Sequence, residues 1–476
     1  MNLTLVGHDY RYAAEQILLA LFPEDQPEVE IRLSYGKVYV QATAVVSGVR
    51  GTARVRIDRL TDELERDRHL QRIVKLSFYK AAMRILPEKP VWGALTGIRP
   101  GRIVANAVAA GRDPVQVLTR EYFVSQDRAE LAADSAQHRL ELAKTVEPRD
   151  VALYIGIPFC PTRCAYCSFV SNSVEKSFSL VAPFVEALLR EITDMAELTR
   201  EFGLRPTTVY IGGGTPTSLT AEHLGEILRK IRDCFDFTHI REYTVEAGRA
   251  DTITPEKLHA MRENGVTRVS VNPQSMSQTV LNAIGRSHTP EDVLKAVGLV
   301  RQSGGLSLNM DIIAGLPEDT PESFRDTIDA VLDLAPENIT VHTLAMKKGS
   351  ALMVGGGAIP DGKSVAEMLT YSTSQLRESG YMPYYLYRQK FTSGGFENVG
   401  WSLPDQDGIY NIWMMEEIGT VLAMGGGGVT RLVPPGKNPR FERVFNVKYP
   451  LEYIERQENF KAKIERIREF YTCHLK

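Results

Sequence analysis

Three cysteines on one short loop constrain this chain more than any other feature. Cys160, Cys164 and Cys167, spaced C-x3-C-x2-C, follow an apolar run from Val151 to Ile157 that reads as a strand. Pro158 ends that run, because its ring fixes φ and it has no N–H to give to a ladder. Three thiolates placed this way can converge on one face of an iron–sulfur cube, and a cube of four irons then keeps one iron open. A closed zinc site takes four ligands, usually in paired C-x2-C spacing, and the sequence carries no second pair. A disulfide reading leaves one cysteine over and has no secretory context. The plain alternative is a chance group of buried cysteines, which the strand-then-loop setting argues against. Of the chain's five cysteines, two remain. Cys234 sits in an apolar helical pattern and reads as a small core residue; Cys473 carries no argument.

From Val151 onward, strand-like and helix-like segments alternate. Strands are expected at 151–157, 207–211, 242–247, 267–271, 307–313 and 338–343, with helices near 180–203, 220–235, 255–264, 290–304 and 321–334. This alternation predicts parallel β/α units, hence an α/β fold, and six units suggest an open, partial (β/α)6 barrel over residues 148–350. Chemistry in such barrels sits at the C-terminal ends of the strands. Residues 1–147 read as a separate α+β and helical region. Strands are expected at 3–6, 29–33, 37–46 and 51–57, a helix over 10–22 ending at Pro23, and mostly helix from 60 to 147. That region could dock substrate or RNA; its plain reading is scaffold. Within it, 90–102 reads as a loop whose Arg99 and Arg102 could meet a substrate carboxylate, or simply face solvent. Residues 351–476 are less periodic and are expected to form a C-terminal cover over the barrel mouth. They hold a helix near 363–379, an aromatic stretch Tyr381 to Tyr387, a flexible turn at Gly355 to Gly357, glycine loops at 394–400 and 425–428, and a helix over 450–471.

Composition narrows the partners. The 476 residues are 43% hydrophobic and 24% charged, with a net charge of −3 and both signs interspersed. That is ordinary globular composition, with no electrostatic footprint for nucleic acid or a membrane surface. No apolar run reaches bilayer length, and the first ten residues lack a basic-then-apolar pattern, so neither a membrane span nor a signal peptide is expected. Reduced thiols and an oxygen-sensitive cluster fit a cytoplasmic setting.

Further motifs follow the expected strands. Tyr210-Ile211-Gly212-Gly213-Gly214-Thr215-Pro216 ends the second; successive glycines let a backbone approach a ligand closely, though many such runs are only loops. Glu246 ends the third, as a ligand contact or an ion-pair partner. Gln274 follows the fourth, Arg286 lies in Gly285-Arg286-Ser287-His288, and Asp311 opens Asp311-Ile312-Ile313-Ala314-Gly315-Leu316-Pro317. Ala345 follows the sixth strand. His342, just before it, reads most simply as a structural strand-end histidine.

The cysteine spacing resembles that of radical S-adenosylmethionine (SAM) enzymes. The longer string Tyr154-x-x-Ile157-Pro158-Phe159-Cys160-x3-Cys164-x-Tyr166-Cys167 resembles the oxygen-independent coproporphyrinogen III oxidase (dehydrogenase) family, HemN-like. The resemblance implies a 4Fe-4S cluster on Cys160, Cys164 and Cys167, with SAM chelating the open iron. It implies SAM contacts at Tyr154, Gly213, Gly214, Thr215, Glu246, Gln274, Arg286, Asp311 and the backbone of Ala345, and a ligand near Tyr166. These are binding residues; none is expected to act as an acid–base catalyst. The implied reaction starts with one electron to SAM, giving methionine and a 5′-deoxyadenosyl radical. That radical takes a β-hydrogen from a propionate of coproporphyrinogen III, and loss of carbon dioxide and one electron leaves a vinyl group. Two rounds give protoporphyrinogen IX. Its partners are then a porphyrinogen substrate and a reducing donor such as flavodoxin or ferredoxin. Two departures stand out. Gly156 occupies the position where the family usually has histidine, and Ala247-Gly248-Arg249 replaces a short acidic, proline-bearing run. With the long N-terminal region, Gly156 makes the chain resemble the HemZ branch. Two other readings are a haem chaperone of the same superfamily and a radical SAM enzyme on another substrate.

Overall fold

The computed structural model describes residues 3–22, 27–60, 62–347, 350–355, 359–389, 392–436 and 441–475. The chain divides into two compact units, Met1–Ala133 with Tyr387–Phe396, and Asp134–Leu386 with Glu397–Lys476. Residues after 397 therefore group with the barrel rather than apart from it.

The first unit holds β1 (Leu3–Val6), α1 (Arg11–Leu21), β2 (Val29–Tyr35), β3 (Tyr39–Val46), β4 (Val49–Arg56), α2 (Glu63–Ala82), α3 (Pro100–Ala109) and α4 (Pro114–Tyr122); α5 (Gln126–Thr145) runs on from it. The sheet order is β1-β2-β3-β4, with β1 parallel to β2 and the other pairs antiparallel. Strict alternation buries Ile31, Leu33, Val40, Ala42 and Ala44 against Ile17, Leu18, Ile73 and Phe78 of the helices. Pro23 lies outside the described residues. The expected loop 90–102 is corrected: α3 already begins at Pro100, a favoured first helical position. Trp92, Ala94 and Leu95 are buried, and the Arg388 guanidinium stacks 5.1 Å from the Trp92 ring centroid.

The second unit continues with β5 (Asp150–Ile157), β6 (Phe159–Cys160), β7 (Asn172–Ser173), α6 (Phe178–Glu201), β8 (Arg205–Gly213), α7 (Ala221–Cys234), β9 (Glu242–Glu246), α8 (Pro255–Glu263), β10 (Arg268–Ser270), α9 (Gln278–Ala283), α10 (Pro290–Ser303), β11 (Ser307–Ala314), α11 (Pro321–Asp333) and β12 (Asn338–Thr343). All six expected strands form. They pair in parallel in the order β5-β8-β9-β10-β11-β12, the sequential arrangement of a (β/α) barrel wall. The helices start where the sequence caps them. Thr220, Thr254, Thr289 and Thr320 each accept a backbone N–H at an N-terminus, and three of them precede a proline at the first turn.

The C-terminal residues supply α12 (Ala351–Gly355), α13 (Gly362–Glu378), β13 (Met382–Arg388), β14 (Glu397–Ser402), α14 (Ile409–Met415), β15 (Thr420–Gly425), β16 (Val429–Leu432), β17 (Glu442–Phe445), α15 (Pro450–Glu455) and α16 (Glu458–His474). They extend the sheet at both edges. β14 runs antiparallel to β12 with β13 beyond it, and β15 adds a parallel strand beside β5, followed by β16 and β17. Part of the expected 394–400 loop is thus strand, and the expected 450–471 helix is two. Gly355 ends α12; positions 356 and 357 of the expected turn lie outside the described residues.

This region also closes the barrel at its N-terminal end. Arg268 and Asn338, at the starts of β10 and β12, donate to the Gln406 carbonyl. Ser307, at the start of β11, donates to the Gln406 side chain, and Glu242 of β9 accepts from the Ile409 N–H. Tyr410 and Trp413 of α14 then fill the interior against Ala152 and Val421.

Candidate functional site

The cysteine loop leaves β5 at the opposite, C-terminal end. Its backbone is tied on several sides: Asn172 N–H donates to the Pro158 carbonyl at 2.9 Å, Val174 N–H to Cys160 at 2.9 Å, and Ala165 N–H to Ile284 at 2.9 Å. The glycine run after β8 packs straight onto it. Gly214 N–H donates to the Ile157 carbonyl and Thr215 N–H to that of Phe159, both at 2.7 Å. A Cβ on Gly214 would lie 2.4 Å from the Phe159 oxygen, and Gly213 has a φ of +106°. Glycine is required here by backbone-to-backbone contact with the cysteine loop. The Thr215 hydroxyl lies 3.6 Å from Cys160 Sγ.

Beside this loop lies a polar cluster at the strand ends. The Tyr210 hydroxyl donates to Glu246 Oε1, and Asn272 Nδ2 donates to Oε2 at 3.2 Å. Asn272 Oδ1 accepts the Asp311 N–H, Asn309 donates to Asp311 Oδ1 at 2.9 Å, and His342 Nε2 lies 3.6 Å from Asp311 Oδ2. Burial, then the Asp311 charge, push the Glu246 carboxyl up to about 7. Burial pushes Asp311 the same way, but the hydrogen bond and charge of His342, with Asn309, outweigh it and hold Asp311 below its usual range. Beneath Glu246, the rings of Tyr154, Tyr210 and Tyr410 stack, with Tyr210 and Tyr410 centroids 4.4 Å apart.

The remaining expected residues fall around this rim. Arg286 is buried; it donates from Nη1 to the carbonyls of Gly248 and Asn272 at 2.9 and 2.7 Å, and from Nη2 to the Tyr166 hydroxyl at 3.0 Å. Burial raises the Tyr166 phenol. Gln274 is buried at a left-handed φ of +66°, and its backbone bridges to β11 through the Asp311 carbonyl and the Ile313 N–H. Such strain in a non-glycine residue clusters at functional sites. Ala345 is buried just past β12. Gly213, Gly214, Thr215, Glu246 and Gln274 thus gather at or just past strand ends with the cysteines, and Asp311 joins them from within β11. The Tyr154 ring instead joins the stack that reaches down to Tyr410. Tyr210, Asn272 and His342 belong to the cluster without having been picked out. Tyr210 was readable, since it shares its strand face with Gly212 and points where Glu246 points; His342 was not, because nothing local distinguishes a strand-end histidine from a structural one.

Three free cysteines on one loop are a donor set that a cube with one open iron can use. Among the described residues, no three His, Cys, Asp or Glu side chains converge as a lone metal ion requires. A cube asks less convergence, because each thiolate binds a different iron. The three cysteines are free thiols, each part-exposed. Burial pushes the Cys167 thiol up, against a backbone hydrogen bond from Phe169.

Residues 154–331 match the Radical SAM superfamily profile. Over 379 residues the chain is 38% identical to the oxygen-independent coproporphyrinogen-III oxidase-like protein HemZ of Bacillus subtilis (strain 168), covering 78% of this chain and 75% of that one. It is 28% identical to the heme chaperone HemW of Haemophilus influenzae, over 67% of this chain and 81% of the other. The solved coproporphyrinogen III oxidase HemN from Escherichia coli, described as a radical SAM enzyme, superposes with a TM-score of 0.53 at 22% identity, over 67% of this chain and 73% of that one, a likeness of fold. Fold and cysteine loop together define a radical SAM protein, for which a 4Fe-4S cluster and SAM are the family's cofactors. Within that class, the chain belongs to the oxygen-independent coproporphyrinogen III oxidase family, in its HemZ branch. No described helix is long and apolar enough to cross a membrane.

Proposed function

We propose that this chain carries out the oxygen-independent oxidative decarboxylation of coproporphyrinogen III to protoporphyrinogen IX. The observation that carries the reading is the seating of the Gly213–Thr215 backbone on the cysteine loop, with the Glu246–Asp311 cluster beside it, joined through Asn272. In this reading Cys160, Cys164 and Cys167 hold the 4Fe-4S cluster, and SAM occupies the open iron. When bound, that pair supplies reductive cleavage of a sulfonium and the hydrogen abstraction from a propionate. The chain positions the reactants: Gly213, Gly214 and Thr215 offer backbone groups to the SAM amino and carboxylate ends, and Glu246 accepts from hydroxyls. Gln274, Asp311, Arg286, Tyr154, Tyr166 and the Ala345 backbone complete the wall. The closed lower end, filled by Tyr410 and Trp413, keeps water from entering from below. Electrons come from a flavodoxin- or ferredoxin-like donor.

The second reading, haem carriage, draws on the similarity to HemW. A histidine at position 156 cannot serve it here, since a Cβ at Gly156 would lie 2.5 Å from the Gly426 carbonyl oxygen. The deciding experiment is an anaerobic assay with reconstituted chain, dithionite, SAM and coproporphyrinogen III. Protoporphyrinogen formed together with 5′-deoxyadenosine, both lost in Cys164→Ala, is the expected result. SAM cleavage without porphyrin turnover overturns the substrate, and tight stoichiometric haem binding would then favour carriage.

A further inference from the structure

Arg249, three residues past Glu246, is buried and reaches the cysteine loop. Its Nη1 donates to the Thr162 hydroxyl at 2.8 Å, and Thr162 lies midway between Cys160 and Cys164. Its Nη2 donates to the Ser287 hydroxyl at 2.6 Å, and Nε and Nη2 face the two oxygens of Asp251 at 3.3 and 3.2 Å. Ser287 in turn donates to Asp251 Oδ2 at 3.2 Å. The residue before Ser287 is Arg286, which holds Tyr166, between Cys164 and Cys167. A guanidinium buried only to support the fold can be satisfied by carbonyls, as Arg431 is by Trp413 and Gly419. Arg249 spends a donor on a side chain of the cysteine loop instead, in a fork geometry that lysine cannot reproduce.

Resting on the assignment of the three cysteines as cluster ligands, we infer that Arg249 is a positioning residue for the iron–sulfur site. It fixes the Cys160–Cys164 half of the loop through Thr162, and with Asp251 forms a charge-balanced pair that helps set the cluster's reduction potential. A charge-balanced pair makes opposite-sign predictions for its two members. Arg249→Gln leaves Asp251 uncompensated and lowers the midpoint potential, because added negative charge disfavours reduction. Asp251→Asn leaves Arg249 uncompensated and raises it. Thr162→Val removes the tether and keeps both charges. It loses iron to a chelator several-fold faster than wild type, with the potential nearly unchanged. The test is a redox titration of the reconstituted full chain followed by electron paramagnetic resonance, with iron release timed in parallel. Thr162→Val and Asp251→Asn keep the test available should Arg249→Gln fail to fold. Shifts of the same sign, no shift in either charge variant, or wild-type iron retention in Thr162→Val overturn the inference. A wild-type chain that takes up no cluster overturns the ligand assignment and this inference together; a normal cluster indifferent to these substitutions overturns this inference alone.

Discussion

Two buried glutamates in this molecule meet opposite fates. Glu191, on α6, is wholly buried and fully matched. Its carboxylate lies 2.6 Å from Lys463 Nζ of α16 and accepts from the Gly425 N–H at 2.7 Å, from Asn446 Nδ2 at 2.9 Å and from the Tyr453 hydroxyl. Lys463 spends its other donors on the Asn446 side chain and the Ala423 carbonyl. Glu246, at the barrel mouth, has a phenol and an amide on its oxygens but faces a second carboxylate, Asp311, and is pushed up to about 7. The first is a balanced structural lock that ties the C-terminal helix to the end of β15. The second carries an imbalance of the kind that marks sites awaiting a ligand.

The sharpest way to break the comparison is to unbalance the lock. Lys463→Met leaves Glu191 buried without a cation, and about 3–5 kcal/mol of stability should be lost in urea unfolding. Adding Glu191→Leu should recover only part of it, since it removes the lone buried charge but leaves the Gly425 N–H, Asn446 and Tyr453 donors unmatched. The converse substitution at the mouth should act on binding instead of folding. Glu246→Gln keeps the shape and removes a charged hydrogen-bond partner worth about 1.5–3 kcal/mol. SAM affinity, read by equilibrium binding to the reconstituted chain, should therefore fall roughly 10- to 100-fold, with no matching loss of folding stability. Equal SAM binding in wild type and variant would remove Glu246 from the site.

Between the two lies Gly156. Its carbonyl accepts from the Gly426 N–H at 2.9 Å, and the same glycine turn begins at Gly425, whose N–H goes to Glu191. Gly156→Ala forces its Cβ onto the Gly426 carbonyl and should cost about 1–3 kcal/mol of stability, the usual range for overpacking, seen as a lowered Tm. That strain falls on the lock's side of the barrel, so the variant should lose stability before it loses SAM affinity.

The mouth was far more legible in the sequence than the lock, for a physical reason. Strand-end residues follow their own strand, so Cys160, Gly214 and Glu246 could be placed by local pattern, as could Asp311 within its strand, and the alternation of strand-like and helix-like runs marked the walls. Glu191 and Lys463 meet only because β15 inserts beside β5 and carries α16 onto α6. Periodicity names a strand but not its distant partner. Arg249 was visible only as a departure from the family's usual run. The glycine triplet was read for closeness to a ligand, yet the contact that demands it is with the cysteine loop's own backbone. The tyrosine stack stayed hidden because Tyr410 comes from the far end of the chain.

The mildest test separates the carboxylates by pH. A carboxyl raised in the folded state keeps its proton where the unfolded chain has lost it. Across the interval from its ordinary value to about 7, the folded form therefore binds more protons at Glu246, and its contribution to stability falls as pH rises. The slope for one such proton is at most about 1.4 kcal/mol per pH unit. Asp311 is held low, so its contribution is lost only on the acid side, as pH falls through its folded value. Other groups titrate in the same interval, Asp319 raised to about 6 among them, so the difference between wild type and Glu246→Gln is the quantity to follow. Glu246→Gln should gain on wild type as pH rises from 5 to 7, and the gain should level off above that. A constant difference between the two unfolding curves across this range would mean that Glu246 is as well matched as Glu191, and the contrast between the two sites would collapse.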